Sequence, residues 1–584
     1  MPKVWNIGNT TVRNPKRIEN ALKVFVGEGF SGNAKGKEAE TRLHFMLGEL
    51  GILEFEGQPS DLNGRKWRAA FYQLGFISFE EYNIWDKKLS VEELFKNIGL
   101  SEITKTYQLT PAGKKLIEAT SVPQIEEIYT RQFACYEIPS TLEGSFPGGK
   151  MKPFILFLQV LRELNHQGQV GLNKFETGFF IQPFQNHTPD LPAKIVEGIV
   201  KYRVQFNKCK NHKEVKSLHF EYLEKLAIVS GINPNSVVGD YADTTFRYFT
   251  LSGLFTRISE TINIRQNKIV FVDALLNQEP QFLFNQEPLG FFEYYYTNSY
   301  PLPIDDKSFA IRDIRKLKED IKDKNHPLLK EANAIKEDTS IEAVQAIRHK
   351  LIIYNSWERE EDYANHQQSS EAVTDIINYL KTLNKENVAN KPDIDDKPAF
   401  LEWAVWRSFL AIDEIVSKAH ETRRFPVDQD FMPRNTAPGG GSDLIFEFED
   451  YVLVVEVTLT ISHRQMAVES EPVRRHTVQY KESYPQKDIY CLFIAPEVDN
   501  NVVETFRIGV WYKGDSEEFI NIVPMSLGDF IKTIGTLQVK RYRNHDFRNL
   551  LDKCLVSRNV RAPQWKNSIT KEVDEWVRKM SVIK

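Results

Sequence analysis

Two carboxylic acids that face each other across a short hairpin could hold a metal ion together. The segment from Gly439 to Thr460 reads GGGSDLIFEFEDYVLVVEVTLT, with apolar runs on either side of the dipeptide Glu449-Asp450. This pattern predicts a β-hairpin with that dipeptide as its loop, and the pairing then sets Asp443 directly opposite Glu456. Like charges in such a pair are destabilising, so they need protonation, a basic partner or a metal ion.

The chemistry that suits such a pair is metal-assisted hydrolysis. Mg²⁺ binds one or two carboxylates and fills its other positions with waters or phosphate oxygens. An ion held in this way can stabilise charge on a phosphodiester and activate a water to attack it. The pattern alone leaves one alternative open, in which both acids face solvent on their strands.

Other patterns nearby predict the elements that would position this pair. A helix is predicted to begin at Asp396 and to carry Glu402 on an otherwise apolar face. A second helix is predicted to begin at Ser470, with Glu469 at the junction before it. The apolar run IYCLFIAPEV, residues 489–498, predicts a strand covered on both faces. The order helix, hairpin, helix and buried strand is typical of an α/β nuclease-like core.

Longer sequence words in this region resemble a known family. Asp443, twelve intervening residues and then Glu456-Val457-Thr458 are similar to a PD-(D/E)XK nuclease signature. The other words are FLEWAVW (400–406), MAVESEPVRRH (466–476) and LFIAPE (492–497), with looser matches at AKGKEAE (34–40) and TTFRYFTLSGLF (244–255). Together they resemble the AlwI family of type IIS restriction endonucleases, which includes the BstNBI-like strand-specific nicking enzymes.

The resemblance implies an N-terminal module that recognises a short asymmetric double-stranded DNA site. A helical connector joins it to a C-terminal module that cuts a few base pairs outside the site with Mg²⁺. Strand-specific nicking, or the role of large subunit in a heterodimeric restriction enzyme, is the alternative activity. By motif position, the family's catalytic acids fall on Glu402, Asp443, Glu456 and Glu469, with the last three as metal ligands and His476 as a nearby polar candidate.

One position departs from the signature. Thr458 stands where the signature usually has Lys, a residue that commonly helps to orient or activate the attacking water. Its role could pass to Glu469, to Arg464 or Gln465, or to a metal-bound water alone. The residues leave this choice open.

Length and texture predict a multidomain protein of α/β and mostly α parts. The 584 residues suit about three to four domains. Residues 1–275 are predicted to form a DNA-recognition region with two winged-helix-like subdomains, about 1–145 and 146–275. Residues 276–391 are predicted to form a helical linker, and residues 392–584 a PD-(D/E)XK restriction-endonuclease-like α/β domain.

Two local patterns carry the winged-helix prediction. YQLTPAGKKLIEA, residues 107–119, sets a short strand before a Thr-Pro helix start. TTFRYFTLSGLFTRISETINI, residues 244–264, predicts a helix end, a turn at Gly253 and a wing after it. Ordinary α/β packing without DNA contact is the alternative for either segment.

Charge is unevenly distributed along the chain. Lys and Arg total 75 against 80 Asp and Glu, a net charge of −5, which gives no whole-chain attraction to nucleic acid. Local basic clusters, such as KYRVQFNKCKNHKEVK at 201–216, could still neutralise phosphates, although a solvated helix face is the alternative. The residues expected to contact DNA are Lys35, Lys37, Arg65, Lys66, Arg68, Lys208, Lys210, Lys213 and Arg247.

The remaining expectations concern compartment and partners. Four cysteines without a CxxC pair suit a reducing cytoplasm, and no apolar stretch approaches the ~18 residues of a membrane span. Expected partners are double-stranded DNA and, through the catalytic domain, a transient homodimer or a second small subunit. A non-catalytic DNA-binding regulator is the rival function. A nuclease that acts with a separate helper ATPase is a further alternative, and the absence of a GxxxxGK(S/T) phosphate loop from the sequence disfavours it.

Overall fold

The structure, a computed structural model, describes residues 4–582 with several gaps. Outside the description lie 28, 32–35, 51, 54–63, 79–80, 85–86, 91–106, 139–148, 259, 279–281, 284–286, 390, 413, 462, 514 and 542. The chain divides into two compact units, named unit 1 (Met1–Lys316 with Lys330–His349) and unit 2 (Leu317–Leu329 with Lys350–Lys584).

Unit 1 is mostly helical and has short strands. Its helices are α1 (Ile18–Gly27), α2 (Gly36–Glu49), α3 (Gly64–Gln73), α4 (Pro111–Glu118), α5 (Val122–Cys135), α6 (Pro153–His166), α7 (Lys174–Phe180), α8 (Leu191–Lys208), α9 (His212–Ser230), α10 (Pro234–Ser236), α11 (Ala242–Phe249), α12 (Ile269–Asn277) and α13 (Pro288–Thr297). Its strands are β1 (Ile77–Ser78), β2 (Glu81–Ile84), β3 (Lys87–Ser90), β4 (Gln108–Leu109), β5 (Leu172–Asn173), β6 (Phe255–Ile258) and β7 (Thr261–Ile264). Residues of both units belong to α14 (Lys307–Asp320), α15 (Pro327–Asn333) and α16 (Ile341–His366).

Both local patterns that carried the winged-helix prediction have the expected secondary structure. Strand β4 leads into α4, whose cap Thr110 accepts the N–H of Gly113 at 3.1 Å. Helix α11 is followed by Gly253, whose φ of +66° favours glycine, and then by the antiparallel hairpin β6–β7. Strand β5 pairs antiparallel with β7, which gives the order β5-β7-β6.

Aromatic side chains pack these elements of unit 1 together. The ring of Phe249, at the end of α11, lies 5.0 Å from that of Phe154 and 5.3 Å from that of Phe157, both on α6. Phe255 on β6 lies 5.7 Å from Phe157. All four rings are buried, so α11 and the hairpin are held firmly against α6.

Unit 2 is built around a four-stranded sheet. Its helices are α17 (Ser370–Leu383), α18 (Lys397–Leu410), α19 (His463–Ser483), α20 (Asn500–Arg507), α21 (Leu527–Gly535), α22 (Asn544–Val556) and α23 (Ala562–Val582). Its strands are β8 (Leu444–Glu447), β9 (Tyr451–Val457), β10 (Asp488–Ala495), β11 (Val510–Lys513), β12 (Ser516–Phe519) and β13 (Ile522–Ser526). The sheet order is β13-β10-β9-β8, with β10 parallel to β9 and β13 and with β8 antiparallel to β9.

The predicted hairpin and buried strand are confirmed. Strand β8 pairs with β9 in the expected register, Leu444 with Val455 and Glu447 with Val452, and Phe448 N–H donates to Tyr451 O at 2.9 Å. Strand β10 is buried from its second residue to its last, as a continuous apolar run between two neighbours requires. The helix predicted from Asp396 is also present, because the Asp396 carboxylate caps α18 by accepting Ala399 N–H.

The predicted start of the following helix is wrong. Helix α19 begins at His463 and runs through Pro472, although proline lacks the N–H that would bond one turn back. Ser470 donates its hydroxyl to Met466 Sδ at 2.9 Å instead of capping a helix. Glu469 therefore lies within α19 and not at a junction before it.

Two wider expectations can be compared with the structure only in part. Residues 288–383 form helices α13 to α17 in their described part, while the predicted domain limits near 145, 275 and 391 remain predictions. Among the described residues, no helix combines the length and the apolar character needed to cross a bilayer.

Candidate active site

Asp443 and Glu456 lie at the open end of the hairpin formed by β8 and β9. Asp443 directly precedes β8, and its Oδ2 accepts the backbone N–H of Val457 at 2.9 Å. Burial raises the pKa of Asp443 well above its ordinary value, and the negative charge of Glu456 raises it further. Burial, followed by the charge of Glu469, raises the pKa of Glu456 to about 8. The two acids therefore sit in a place where negative charge is costly without a cation.

Glu402 joins this group from α18. Its side chain is buried, and its Oε2 accepts the backbone N–H of Ala437 at 2.7 Å. Burial raises the pKa of Glu402, and the charge of Asp443 adds to the shift. The segment between the helix and the hairpin thus supplies a backbone donor to an acid on the helix. No pattern in the sequence singles out Ala437, because its contribution is a backbone group.

Glu469 joins the group from α19 and is linked to Thr458. Burial raises the pKa of Glu469, while a hydrogen bond from the Thr458 hydroxyl lowers it. The same hydroxyl accepts the N–H of Thr460 at 3.0 Å, and the Thr458 N–H donates to Ile494 O on β10 at 3.0 Å. Thr458 is therefore fixed to the sheet near Glu469, at the position where the signature usually has Lys.

His476 is the fifth predicted residue, and it contacts Glu456 directly. Its Nδ1 lies 2.7 Å from Glu456 Oε1, and both side chains are buried. Burial lowers the pKa of His476, so the ring is neutral near pH 7. Its Nε2 is buried and has no hydrogen-bond partner among the described residues. The structure thus pairs His476 with Glu456, while Glu402, Asp443 and Glu469 are related to this pair through the effects of their charges, and the catalytic role of the five residues stays a prediction.

Gln465 is not available as a substitute for the missing lysine. Its Nε2 donates to Thr460 O at 2.8 Å and to Glu497 O at 3.1 Å, while its Oε1 accepts the Asp499 N–H at 2.8 Å. The side chain is fully buried and tied to loops. Arg464, the other candidate on this turn of α19, is exposed.

The chemistry of the donor set fits a hard divalent cation. The acids Asp443, Glu456 and Glu469 offer carboxylate oxygens, and burial raises the pKa of each. A bound cation would stabilise their charged forms. In the described part of the chain no three His, Cys, Asp or Glu side chains already lie close enough together to hold a metal ion. Mg²⁺ requires only one or two carboxylates from the protein.

The structure separates the residues predicted to bind DNA into two groups. Arg68 pairs with Glu40 at 2.6 Å and lies over the ring of Tyr107, so its guanidinium is used within unit 1. Arg247 donates to the carbonyls of Val12 and Arg13 and pairs with Asp243. These contacts stabilise the fold of unit 1, and a DNA contact by Arg68 or Arg247 stays a prediction.

The second group remains open to solvent. Lys208, Lys210 and Lys213 are exposed at the connection between α8 and α9, and none forms an ion pair with a described residue. Arg65 is exposed and Lys66 is partly buried on α3. Lys35 and the side chain of Lys37 lie outside the described residues.

The AlwI restriction endonuclease family matches residues 73–533, most of the 584 residues, and the chain belongs to this family. It is therefore a restriction endonuclease, a nuclease that binds DNA. No curated protein matches the chain in sequence.

Two solved structures show limited similarity to the chain. The small subunit of the heterodimeric restriction endonuclease R.BspD6I is 21% identical, with a TM-score of 0.27, over 35% of this chain and 97% of that chain. The BpuJ1 endonuclease binding domain, solved with pyrene- and phenanthrene-modified DNA, is 13% identical, with a TM-score of 0.29, over 48% of this chain and 89% of that chain.

Proposed function

We propose that this restriction endonuclease is a type IIS enzyme. It binds a short asymmetric double-stranded DNA site and hydrolyses phosphodiester bonds a few base pairs outside that site with Mg²⁺. The observation that carries the proposal is the group of four acids around the open end of the hairpin, where Asp443 accepts the Val457 N–H next to Glu456. In addition to burial, the charge of Asp443 raises the pKa of Glu402, and the charge of Glu469 raises those of Asp443 and Glu456. The four acids come from two helices and from the open end of a hairpin, so the fold gathers negative charge where a cation would relieve it.

The element order of unit 2 supports a PD-(D/E)XK core. Helix α18, the hairpin β8–β9, helix α19 and strand β10 follow one another, and the acids stand at the ends of β8 and β9. The signature Asp443 to Thr458 spans this hairpin. Because β9 and β10 are parallel, α19 serves as the crossover between them and carries Glu469 and His476 back to the same place.

The element order of unit 1 supports a winged-helix subdomain between about residues 146 and 275. Helix α6, strand β5, helix α7, helix α11 and the hairpin β6–β7 follow one another, with β5 against β7. Helices α8, α9 and α10 are inserted between α7 and α11. No residue of α11 is exposed, so the wing formed by the hairpin β6–β7, and not α11, is the proposed element that contacts DNA.

In the proposed reaction, a water oxygen bonds to phosphorus while one phosphorus–oxygen ester bond breaks. One DNA end then keeps a phosphate and the other a hydroxyl. Mg²⁺, when bound, supplies charge stabilisation at the phosphate and a more acidic water. Asp443, Glu456 and Glu469 would hold the ion, and His476 holds the Glu456 carboxyl group in place. Glu402 holds the Ala437 segment against the site.

A plasmid that carries the recognition site tests this proposal. With Mg²⁺ the protein is expected to cleave, and with EDTA in place of Mg²⁺ it is expected only to bind. Glu456→Gln is expected to bind the site and lose cleavage. Glu449→Gln, in the exposed loop of the same hairpin, is the matched control and should cleave normally.

Run-off sequencing of the products then reports the cut position. Cuts a few base pairs to one side of an asymmetric site would support type IIS action, whereas cuts within the site would contradict it. Full cleavage by Glu456→Gln would remove the metal-site assignment. Binding without cleavage at every Mg²⁺ concentration would favour a DNA-binding regulator.

A further inference from the structure

An arginine that the sequence patterns did not single out is fastened beside Asp443. The backbone N–H of Arg424 donates to Asp443 O at 3.3 Å, and its Nη1 donates to the carbonyl of Ser442 at 3.2 Å. The guanidinium of the preceding residue, Arg423, donates two hydrogen bonds to the Glu360 carboxylate, at 2.5 and 2.7 Å. Arg424 has no carboxylate within 4.0 Å among the described residues, so its charge is not neutralised by direct contact.

The glycine run before Asp443 makes room for this guanidinium. A Cβ added to Gly441 would lie 2.8 Å from Arg424 Cζ, well inside van der Waals contact. Gly441 has no positive φ, so its backbone conformation does not itself require glycine. A Cβ added to Gly439, two residues earlier, would meet nothing within 4 Å. A side chain at position 441 would therefore displace the guanidinium of Arg424 from its present place.

The charge of Arg424 acts on the group of acids. Burial raises the pKa of Glu456, and Arg424 is among the charges that lower it again. Burial lowers the pKa of His476, and Arg424 contributes to that shift as well. Arg424 is thus a permanently charged group near the acids. Its guanidinium donates one hydrogen bond to a described residue, the carbonyl of Ser442, and its other N–H groups are available to a ligand.

We propose that Arg424, whose guanidinium occupies the space beside Gly441, binds the phosphate at which the DNA strand is cut. This assignment rests on the proposed function. Guanidinium groups bind phosphate oxygens through two parallel N–H donors, and such donors stabilise the charge that grows on the phosphate during attack. Arg424 would thereby supply the positive charge that the signature loses at Thr458, whose hydroxyl accepts the N–H of Thr460.

The first test separates charge from placement. Arg424→Ala is expected to cut on the order of 100-fold more slowly in single turnovers, the usual loss for one donor to a reacting oxyanion. Gly441→Ala keeps the charge but displaces the guanidinium, and is expected to slow cutting as well. Gly439→Ala is its matched control and should cut like the unaltered protein. DNA affinity should change less than threefold in all variants, because unit 1 carries recognition.

The second test measures effects on the cutting rate that are expected if Arg424 contacts the phosphate and not if its role is purely structural. Added ethylguanidinium is expected to restore part of the cutting by Arg424→Ala and none of the cutting by Glu456→Gln. A phosphorothioate at the cut position is expected to slow the unaltered protein more than it slows Arg424→Ala, because that variant has already lost the contact. Arg424→Lys keeps the charge, and its cutting rate should lie between those of the unaltered protein and Arg424→Ala. It replaces Arg424→Ala in this test if that variant folds poorly.

Each outcome decides the matter. If the unaltered protein cuts in Mg²⁺ and Arg424→Ala cuts at the same rate, the role of Arg424 is overturned while the proposed function stands. A loss that ethylguanidinium does not restore, with equal phosphorothioate effects in both proteins, would also overturn it in favour of a structural role. Absence of cutting by the unaltered protein would overturn the proposed function and this assignment together.

Discussion

His476 Nδ1 and Glu456 Oε1 lie 2.7 Å apart, and Glu456 is itself one of the predicted metal ligands. Both side chains are less than a tenth exposed, and burial lowers the pKa of the histidine. A neutral imidazole has one N–H: Nδ1 donates to Glu456 when that carboxylate is ionised, and accepts from it when the raised pKa of about 8 keeps Glu456 protonated. In both states the hydrogen bond orients the Glu456 carboxyl group.

The first prediction concerns this orientation. His476→Ala is expected to raise the Mg²⁺ concentration needed for half-maximal cleavage by about tenfold, because partners of metal-binding carboxylates contribute on that scale. His476→Asn can still donate to Glu456 and should lie closer to the unaltered protein. His545→Ala, at an exposed position of unit 2, is the control. An unchanged Mg²⁺ dependence in His476→Ala would contradict the orienting role.

The hairpin was the most predictable part of the site. Apolar runs on both sides of a two-residue loop leave few registers for the pairing, and a shift of one residue would turn buried side chains to solvent. The position of Asp443 opposite Glu456 follows from that register. Helix starts were less predictable, because Ser470 before a proline resembles a cap while α19 continues through Pro472.

The contacts that depend on tertiary structure could not be predicted. The donor to Glu402 is the backbone N–H of Ala437, and backbone donors leave no mark in a sequence. Arg247 lies in a basic, aromatic segment typical of a DNA contact, yet it bonds to carbonyls of residues more than two hundred positions away. A basic residue can serve either role, and only the fold decides which.

A second prediction uses an acid of unit 1. Burial raises the pKa of Glu127, but a hydrogen bond with His349 and the charge of Arg131 outweigh burial and lower it to about 2. A lowered pKa stabilises the folded state above the ordinary value of 4.5, and this contribution is lost as the pH falls from 4.5 towards 2. Glu127→Gln should lower the free energy of unfolding at pH 7 by about 3 kcal/mol.

Denaturant unfolding of the variant at several pH values checks this prediction. The difference from the unaltered protein should shrink as the pH falls below about 4.5. Glu118→Gln removes an acid from an exposed pair with Lys114 and should change the free energy by less than about 1 kcal/mol. A difference for Glu127→Gln that stays constant with pH would contradict the assigned cause.

A third prediction concerns the inserted hairpin of α8 and α9. Lys208, Lys210 and Lys213 are exposed at its tip without an ion pair among the described residues, as phosphate-binding lysines must be. Replacing all three by Gln should reduce the slope of log Kd against log salt concentration by about 2 to 3. The loss should be the same for site-containing and random DNA, because phosphate contacts carry no sequence information.

The same hairpin supplies the control for that experiment. Lys194, Lys201 and Lys225 each pair with an acid four residues earlier, so their charges are already engaged. Replacing these three by Gln changes the net charge equally but should leave the salt dependence nearly unaltered. Equal effects of the two triple variants would show that overall charge, and not contact at the tip, controls binding.

The last prediction concerns the order in which the two DNA strands are cut. In the described part of the chain, Glu402, Asp443, Glu456 and Glu469 form the one proposed catalytic group, so one chain is expected to cut one strand per encounter. Nicked circles should therefore accumulate from supercoiled plasmid before linear DNA appears. If a second copy supplies the second cut, linear DNA should form more steeply with protein concentration than nicked circles do.

Mixing the unaltered protein with Glu456→Gln separates the two routes to the second cut. In a pair that contains one inactive site, the first strand is still cut and the second is not, so nicked circles should rise while linear DNA falls. Two successive, independent cuts by single chains would instead leave the ratio of products dependent only on the amount of active protein. Persistent nicked circles at every concentration would identify a strand-specific nicking enzyme or a chain that requires a different second subunit. Linear DNA that forms at the same rate as nicked circles, with the same concentration dependence, would contradict one cut per chain.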